Sequence, residues 1–321
     1  METERKPVYF ITGSTGLIGR TLIKRLAGKG HLVLFVRNLK KARSLFEGIP
    51  DVEYVTGDVT GLVGEDWGAD YIIHLAALTS SYDFINNPVG VIAANVKGTE
   101  NVLMTAVANK ATLKKMIFFS TMEIYGQPQT EDRITEDYPC SLDVVNPRSG
   151  YPESKRLCEN MCAAYHSQYG VPVTIARLTQ TFGPGVENKD GRVFAEFMRC
   201  AAKGEDLVLH TTGETKRSYL YTEDAVDAIM LLLEKGEPGQ AYNVANEETY
   251  CSILDMAKLV ADDIAKGSIK VKVEPEEDAA KRGYAPKLFM NLDTSKVKAL
   301  GFVPKTGLKE MYEKTIEAYH G

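Results

Sequence analysis

The sequence lacks several features, and each absence narrows what the protein can be. No apolar run approaches the roughly 20 residues that a helix needs to cross a bilayer. Low-complexity tracts and solenoid-period repeats are absent. Positive charge is not in excess: 38 Lys and Arg face 43 Asp and Glu, for a formal net charge of −5. Without a basic patch, nucleic-acid binding has no electrostatic footprint. There are five cysteines, an odd number at irregular spacing, which fits reduced thiols rather than a disulfide framework. Cys158 and Cys162 share a helical face, yet no His or Cys partner completes a zinc pattern. They are read as packing residues, and no metal is expected. The first six residues, Met1 to Lys6, are charged and lack the apolar core of a secretory signal, so a cytoplasmic protein is expected. What remains is an ordinary globular composition in 321 residues, enough for one large domain with an appendage or two modest ones.

Alternating strand and helix patterns run through the first half. Pro7 to Thr12 is a short apolar, β-rich run, hence a buried strand. Gly13-Ser14-Thr15-Gly16-Leu17-Ile18-Gly19 follows at once, and Arg20 to Leu26 then reads as a helix. Strand, glycine turn and helix together are the context in which such glycines hold a dinucleotide. Gly13 suits the tight turn, Gly16 the close approach of a pyrophosphate, and Gly19 close helix–strand packing. The helix N-terminus offers free N–H groups to phosphate. His31 to Val36 is the second strand. An NAD site usually ends this strand with an acid for the ribose 2′-hydroxyl. Arg37 and Asn38 stand there instead, which leans toward the 2′-phosphate of NADP while leaving NAD open. Val52 to Val55 is a third strand. Asp58 after it can accept from an adenine amino group or cap the next turn. Tyr71 to Ala77 is the fourth strand, with His74 read as a satisfied core histidine and Leu75, Ala76 and Ala77 leaving room for a ribose. A helix is expected over 95–108.

The fifth strand, Lys115 to Thr121, carries hydroxyls at its carboxyl end, where open parallel sheets bind ligands. Thr121 and Glu123 are therefore expected in the crevice of the glycine loop. A long polar loop spans 127–146. Tyr151 and Lys155 come next, four residues apart at the start of a helix running to Tyr169. That spacing sets side chains on one face, about 5–6 Å apart at Cβ. A phenol ordinarily titrates near pKa ~10, and a nearby ammonium favours its phenolate. Tyr151 is thus a candidate general base. Residues 170–178 form a sixth strand. The pattern implies a doubly wound parallel sheet of Rossmann type. Beyond Gly183-Pro184-Gly185 the alternation weakens. A helix at 194–202 and a short strand at 207–210 suggest a smaller mixed α/β lobe, and a further short strand is expected at 241–244. The expected division is 1–185 plus about 211–245 for the NAD(P)-binding domain, and about 186–210 plus 246–321 for the substrate lobe. Arg217 to Val226 is expected to return to the first domain, with Thr222 or Glu223 capping a helix to Glu234.

Taken together and in order, these segments resemble the extended short-chain dehydrogenase/reductases, the NAD-dependent epimerase/dehydratase family that modifies nucleotide sugars. The matching stretches are Thr12 to Gly19, Gly57-Asp58-Val59, His74 to Ala77, Ser120-Thr121 with Tyr125-Gly126, Tyr151 with Lys155, Arg177 with Gly183-Pro184, and Arg217 with Asp224. Asp293 to Lys296 and Leu300 to Pro304 match near the end. The resemblance implies a catalytic set of Thr121, Tyr151 and Lys155. Tyr151 takes the proton of a sugar C4 hydroxyl, C4 gives its hydride to a tightly bound nicotinamide, and Lys155 holds the ribose and lowers the tyrosine pKa. Gly13, Thr15, Gly16, Leu17, Ile18, Gly19, Arg37, Asn38, Asp58, Val59, the 75–77 segment and Asn95 are implied as cofactor residues. Thr79, Thr121, Arg148, Gln180, Arg192, Arg217 and Arg282 are implied around the substrate.

Subfamilies divide after the 4-keto sugar forms. Dehydratases use an acid pair after the Thr. Met122 here cannot donate a proton, but Glu123 remains. A glucuronate decarboxylase keeps that Glu and resembles the chain at Pro147 to Arg156 and at Asp190 to Val193. A 4-epimerase needs neither acid. Gln180 departs from the Asn that the family usually carries. The expectation puts 4-epimerisation first, then decarboxylation, 4,6-dehydration, and an NADPH-dependent 4-keto reductase. A non-catalytic NADP sensor is the rival from another class. A homodimer through the helices at 95–108 and 153–169 is implied by the family, and no nucleic acid or membrane partner is expected.

Overall fold

The computed structural model describes residues 5–128, 130–276 and 287–320. At its centre is a seven-stranded sheet. Its strands are β1 (Val8–Thr12), β2 (His31–Val36), β3 (Val52–Thr56), β4 (Tyr71–His74), β5 (Lys115–Thr121), β6 (Val173–Leu178) and β10 (Ala241–Val244). They lie in the order β10-β6-β5-β4-β1-β2-β3, and every pair is parallel. This is the doubly wound Rossmann arrangement, with its switch point between β1 and β4.

The sheet is covered on both faces, which is why its strands read as continuous apolar runs rather than alternating ones. Alternation reappears in three dimensions. Ile11 and Leu34 pack beneath helices α1 (Leu17–Leu26) and α7 (Thr222–Lys235), joined at its edge by α2 (Leu39–Leu45). Phe10, Val33 and Phe35 face α4 (Pro88–Ala108) and α5 (Gly150–Tyr169) on the other side. Cys158 and Cys162 are fully buried there, as packing residues. His74 is buried too: Thr12 Oγ1 lies 2.7 Å from its Nδ1 and Thr99 Oγ1 3.3 Å from its Nε2. Burial pulls its pKa down to about 3, so it stays neutral.

Several expected boundaries move for local reasons. The helix expected at 95 begins at Pro88, because Asn87 caps it by accepting from Gly90 N at 3.2 Å. A short helix, α3 (Ser81–Asn86), precedes it. Neither Thr222 nor Glu223 caps α7. The cap position is Tyr221, without a side-chain bond, and both residues lie in the first turn.

The second layer departs further from expectation. Strands β7 (Gln180–Phe182), β9 (Lys216–Tyr221), β11 (Asn246–Ser252) and β13 (Phe289–Met290) form a separate sheet. Arg217 and its strand therefore do not return to the large sheet. Only α7 and β10 do. A two-stranded sheet pairs β8 (Leu207–Leu209) with β12 (Val271–Val273). Around these pack α6 (Val193–Lys203), α8 (Ile253–Leu259), α9 (Ser295–Ala299) and α10 (Leu308–His320). Phe182, Phe194, Tyr219, Met256 and Tyr312 make one core between the small sheet and helices.

Candidate active site

A cleft of about 510 Å³ opens over the carboxyl ends of β1, β4 and β5. Its floor is the glycine turn. Gly13 has φ +75, and a Cβ there would stand 2.6 Å from the backbone N of Ala76, so only glycine fits. Gly19 would drive a Cβ to 2.5 Å from the carbonyl oxygens of Gly13 and Ser14, which is the close helix packing expected of it. Gly16 is different: a Cβ there would approach only the Gly13 carbonyl, at 3.3 Å. It occupies the N-cap of α1 with no side-chain cap, and the first turn carries no acid. The free N–H groups of that turn suit an anion. Thr15, Leu17 and Ile18 line the same floor.

Two further observations favour a polar ligand. Ser14 Oγ and Gln180 Oε1 both border the cleft, and both are buried without a hydrogen-bond partner among the described residues. Orphaned buried polar atoms are costly unless something fills the space beside them. These residues fit a dinucleotide with its pyrophosphate over α1. Arg37, Asn38, Asp58 and Val59 line the far end of the cleft, and Leu75, Ala76, Ala77 and Thr79 line its wall. Asp58 does cap a turn: its Oδ1 accepts from Thr60 N and Thr60 Oγ1 at 2.9 and 2.7 Å. Its Oδ2 stands 4.0 Å from the Arg37 guanidinium.

Thr121, Glu123, Tyr151 and Lys155 converge at the near end. Thr121 ends β5 and accepts from Glu123 N at 3.2 Å, which fixes the turn that carries Glu123. Its hydroxyl also lies close enough to the Tyr151 phenol to favour the ionised form. Tyr151 and Lys155 are 6% and 4% exposed on the first turns of α5. The phenol ring stacks on Phe84, centroids 4.2 Å apart. Arg148 lies 5.1 Å over the other partner of that stack, the Phe84 ring, and pairs with Glu123 at 2.9 Å. Phe84, from a helix with no motif, could not be foreseen as part of the site.

The expectation that Lys155 holds Tyr151 toward phenolate is corrected here. Burial raises the tyrosine pKa well above its ordinary value, and the Glu123 charge raises it further. Thr121, Arg192 and Arg148 act in the opposite sense without overcoming this. Lys155 donates instead to the Phe119 carbonyl at 2.8 Å and lies 4.8 Å over the Phe118 ring. Its own pKa is lowered by burial.

Two other expected contacts are placed differently. Asn95 does not line the cleft. It is 1% exposed between α4 and α5 and donates to Ser154 Oγ at 2.8 Å, while Ser154 donates to the Tyr151 carbonyl. It therefore steadies the turn that carries the tyrosine. Arg217 sits on β9 away from the lining, its Nε buried without a partner among the described residues. Arg282 lies outside the described residues. Arg192 and Gln180 do line the cleft, and Arg192 pairs with Asp190. Met122 also lines it, 2% exposed, with its sulfur accepting from Thr179 Oγ1 at 3.3 Å.

Residues 9–245 match the NAD dependent epimerase/dehydratase family. The chain belongs to that family. Among relatives, it is 32% identical over 324 residues to UDP-glucuronic acid decarboxylase 1 of Xenopus tropicalis, covering 99% of this chain and 73% of the relative. It is equally 32% identical to UDP-glucuronic acid decarboxylase 6 of Arabidopsis thaliana, over 94% of this chain and 85% of the relative. In fold, it is similar to the UDP-glucose 4-epimerase of Thermotoga maritima solved with UDP-glucose. The TM-score there is 0.83 at 21% identity, and the alignment covers 98% of both chains. A dTDP-glucose 4,6-dehydratase from Bacillus anthracis, solved with NAD, gives a TM-score of 0.78 at 20% identity over 98% of this chain and 96% of that one. Members of the epimerase/dehydratase family are NAD-dependent by description, and the uncapped α1 turn and the orphaned Ser14 hydroxyl are the features of this chain that fit such a cofactor.

Proposed function

We propose that the protein is an NAD-dependent decarboxylase of a nucleotide-linked uronic acid, with UDP-glucuronate as the substrate to test first. One observation carries this: likeness along nearly the whole chain, at 32% identity, to UDP-glucuronic acid decarboxylases of animals and plants. The site supports it through Glu123, retained beside Arg148, and through Met122, which stands where a 4,6-dehydratase has the first acid of its pair and cannot donate a proton. Epimerisation, first in order from the sequence, is the activity named for solved structures such as the Thermotoga maritima enzyme at 21% identity, a likeness that speaks to fold alone.

Held over the glycine turn at Gly13 and Gly16, the dinucleotide would supply a reversible hydride acceptor for C4 and a positive charge in the cleft. The protein's part is proton handling and orientation. In the resting chain Tyr151 holds its proton, because it is buried beside Glu123. That proton must leave before Tyr151 can act as a base: with the dinucleotide bound, its positive charge would favour the phenolate, which would then take the C4 hydroxyl proton while Thr121 hydrogen-bonds the C4 oxygen. Once C4 is a ketone, the C6 carboxylate is β to it. The C5–C6 bond then breaks with its electrons passing to the C4 oxygen, carbon dioxide leaves, and C5 takes a proton. Thr121 and Tyr151 stabilise the enolate oxygen through the same contacts that bound the ketone. Arg148 and Arg192 offer guanidinium forks suited to anionic groups of the substrate.

The five cysteines are all free, which supports the cytoplasmic assignment, and the chain has no helix among the described residues long and apolar enough to cross a membrane. Ile92 and Met104 on α4 and Leu157 on α5 are exposed, 42–48% each, and support a homodimer through those helices. Sedimentation as a monomer at micromolar concentration would remove that part. The deciding experiment is mass spectrometry after incubation with a panel of sugar nucleotides. Loss of one carbon dioxide from UDP-glucuronate is expected. Unchanged mass with an altered sugar would establish an epimerase, loss of water a dehydratase, and stoichiometric consumption of added NADPH a reductase.

A further inference from the structure

The far end of the cleft raises a question that β2 does not answer. No acid ends that strand, and Arg37 stands in its place. An acid nevertheless reaches the same space from the other layer. Glu187 follows β7 and lines the cleft together with Arg37, Asn38, Lys41 and Asp58. Its Oε1 accepts from Lys41 Nζ at 2.9 Å, across 146 residues of sequence. Lys189, 87% exposed, approaches its other oxygen at 3.5 Å.

Both ends of this pair are held. Asn38 caps α2 by accepting from Lys41 N at 2.9 Å, which orients the lysine's turn. Beside Glu187, Val186 is buried in the small core, and the Gly185 carbonyl accepts from Arg20 Nη2 at 2.6 Å. Gly185 has φ +93, and a Cβ there would press on the Arg20 guanidinium at 3.1 Å. The segment is therefore fixed against α1 at one residue and against the small lobe at the next.

We propose that Glu187 selects NAD over NADP in this protein, doing from the small lobe what the missing acid at the end of β2 would otherwise do. The proposal rests on the cleft holding a dinucleotide. A 2′-hydroxyl is neutral and leaves the Lys41–Glu187 pair intact. A 2′-phosphate needs cations, but Asp58 stands 4.0 Å from Arg37 and Glu187 is bonded to Lys41. To bind, the phosphate must break the pair and lie against the released carboxylate. The Glu187 carboxyl is held below its usual range, first by the Lys41 bond, so it is ionised at neutral pH. In a solvent-open site, one such charge facing a phosphate is worth on the order of tenfold in affinity.

Dissociation constants for NADH and NADPH, read from nicotinamide fluorescence with the full chain, test this. Wild type is expected to bind NADH at least about tenfold more tightly. Glu187→Gln is expected to shift the ratio about tenfold toward NADPH, and Lys41→Met added to it is expected to reverse most of that shift. Thermal melts show whether each variant is folded. A wild type that prefers NADPH, or a ratio unmoved within about twofold in folded Glu187→Gln, overturns the proposal alone. Binding of neither dinucleotide to wild type overturns it together with the reading of the cleft.

Discussion

Replacing Arg177 by methionine would test how the catalytic hydroxyls are held. Arg177, on β6, and Glu159, on α5, have side chains only 13% and 10% exposed. The guanidinium grips the carboxylate twice: Nη2 lies 2.7 Å from Oε2, and Nε lies 3.1 and 3.2 Å from the two oxygens. Nη1 donates to the Tyr125 hydroxyl at 2.9 Å and to the Glu136 carbonyl at 2.7 Å. Glu159 also accepts from Ser120, the neighbour of Thr121. Glu159 thus ties α5, which carries Tyr151 and Lys155, to the end of β5, which carries Thr121, and Arg177 holds and neutralises its carboxylate. Removing one partner of a buried pair costs about 3–5 kcal/mol, because the other charge is left uncompensated. With a urea slope of about 3 kcal/mol per M, the midpoint falls by about 1–1.7 M. Urea unfolding followed by circular dichroism reads this directly. Arg177→Met with Glu159→Leu removes both charges and should recover more than half the loss. A midpoint shift under about 0.3 M for the single variant, or no recovery in the double, would refute the reasoning.

Tyr151→Phe should lower turnover by at least about a thousandfold, since it removes the proton-handling group. Dinucleotide affinity by fluorescence should hold, and a protein whose only role is to sense NADP would show no catalysis to lose. Gly13→Ala should cost more than about 2 kcal/mol, because φ +75 is disfavoured for alanine and the Cβ would meet Ala76 backbone at 2.6 Å. A melt within about 2 °C of wild type would contradict that. Burial raises the pKa values of Tyr125, Tyr151, Tyr219 and Tyr312. Their stabilising contribution is full below pH ~10, where unfolded tyrosine titrates, and is lost as pH rises toward the folded values. Titration at 295 nm should therefore show these phenols ionising only with alkaline unfolding; reversible titration of all sixteen tyrosines near pH 10 would be inconsistent with it.

The large sheet and the glycine turn were readable in the chain itself. Strands buried on both faces must be apolar throughout, and a tight strand-to-helix turn must use glycine where φ is positive, so both constraints leave local marks. Tyr151 and Lys155 belong to the same class, because helix geometry alone sets residues four apart on one face. What depends on distant chain left no such mark. The sheet to which β9 belongs follows from β7, β11 and β13. The state of Tyr151 follows from its burial and from Glu123, against the sign that the Lys155 spacing implied. Phe84 enters the site by stacking, and Glu187 reaches Lys41 across 146 residues. Dielectric environment and charge partners are properties of a place in space, and only the folded chain makes that place.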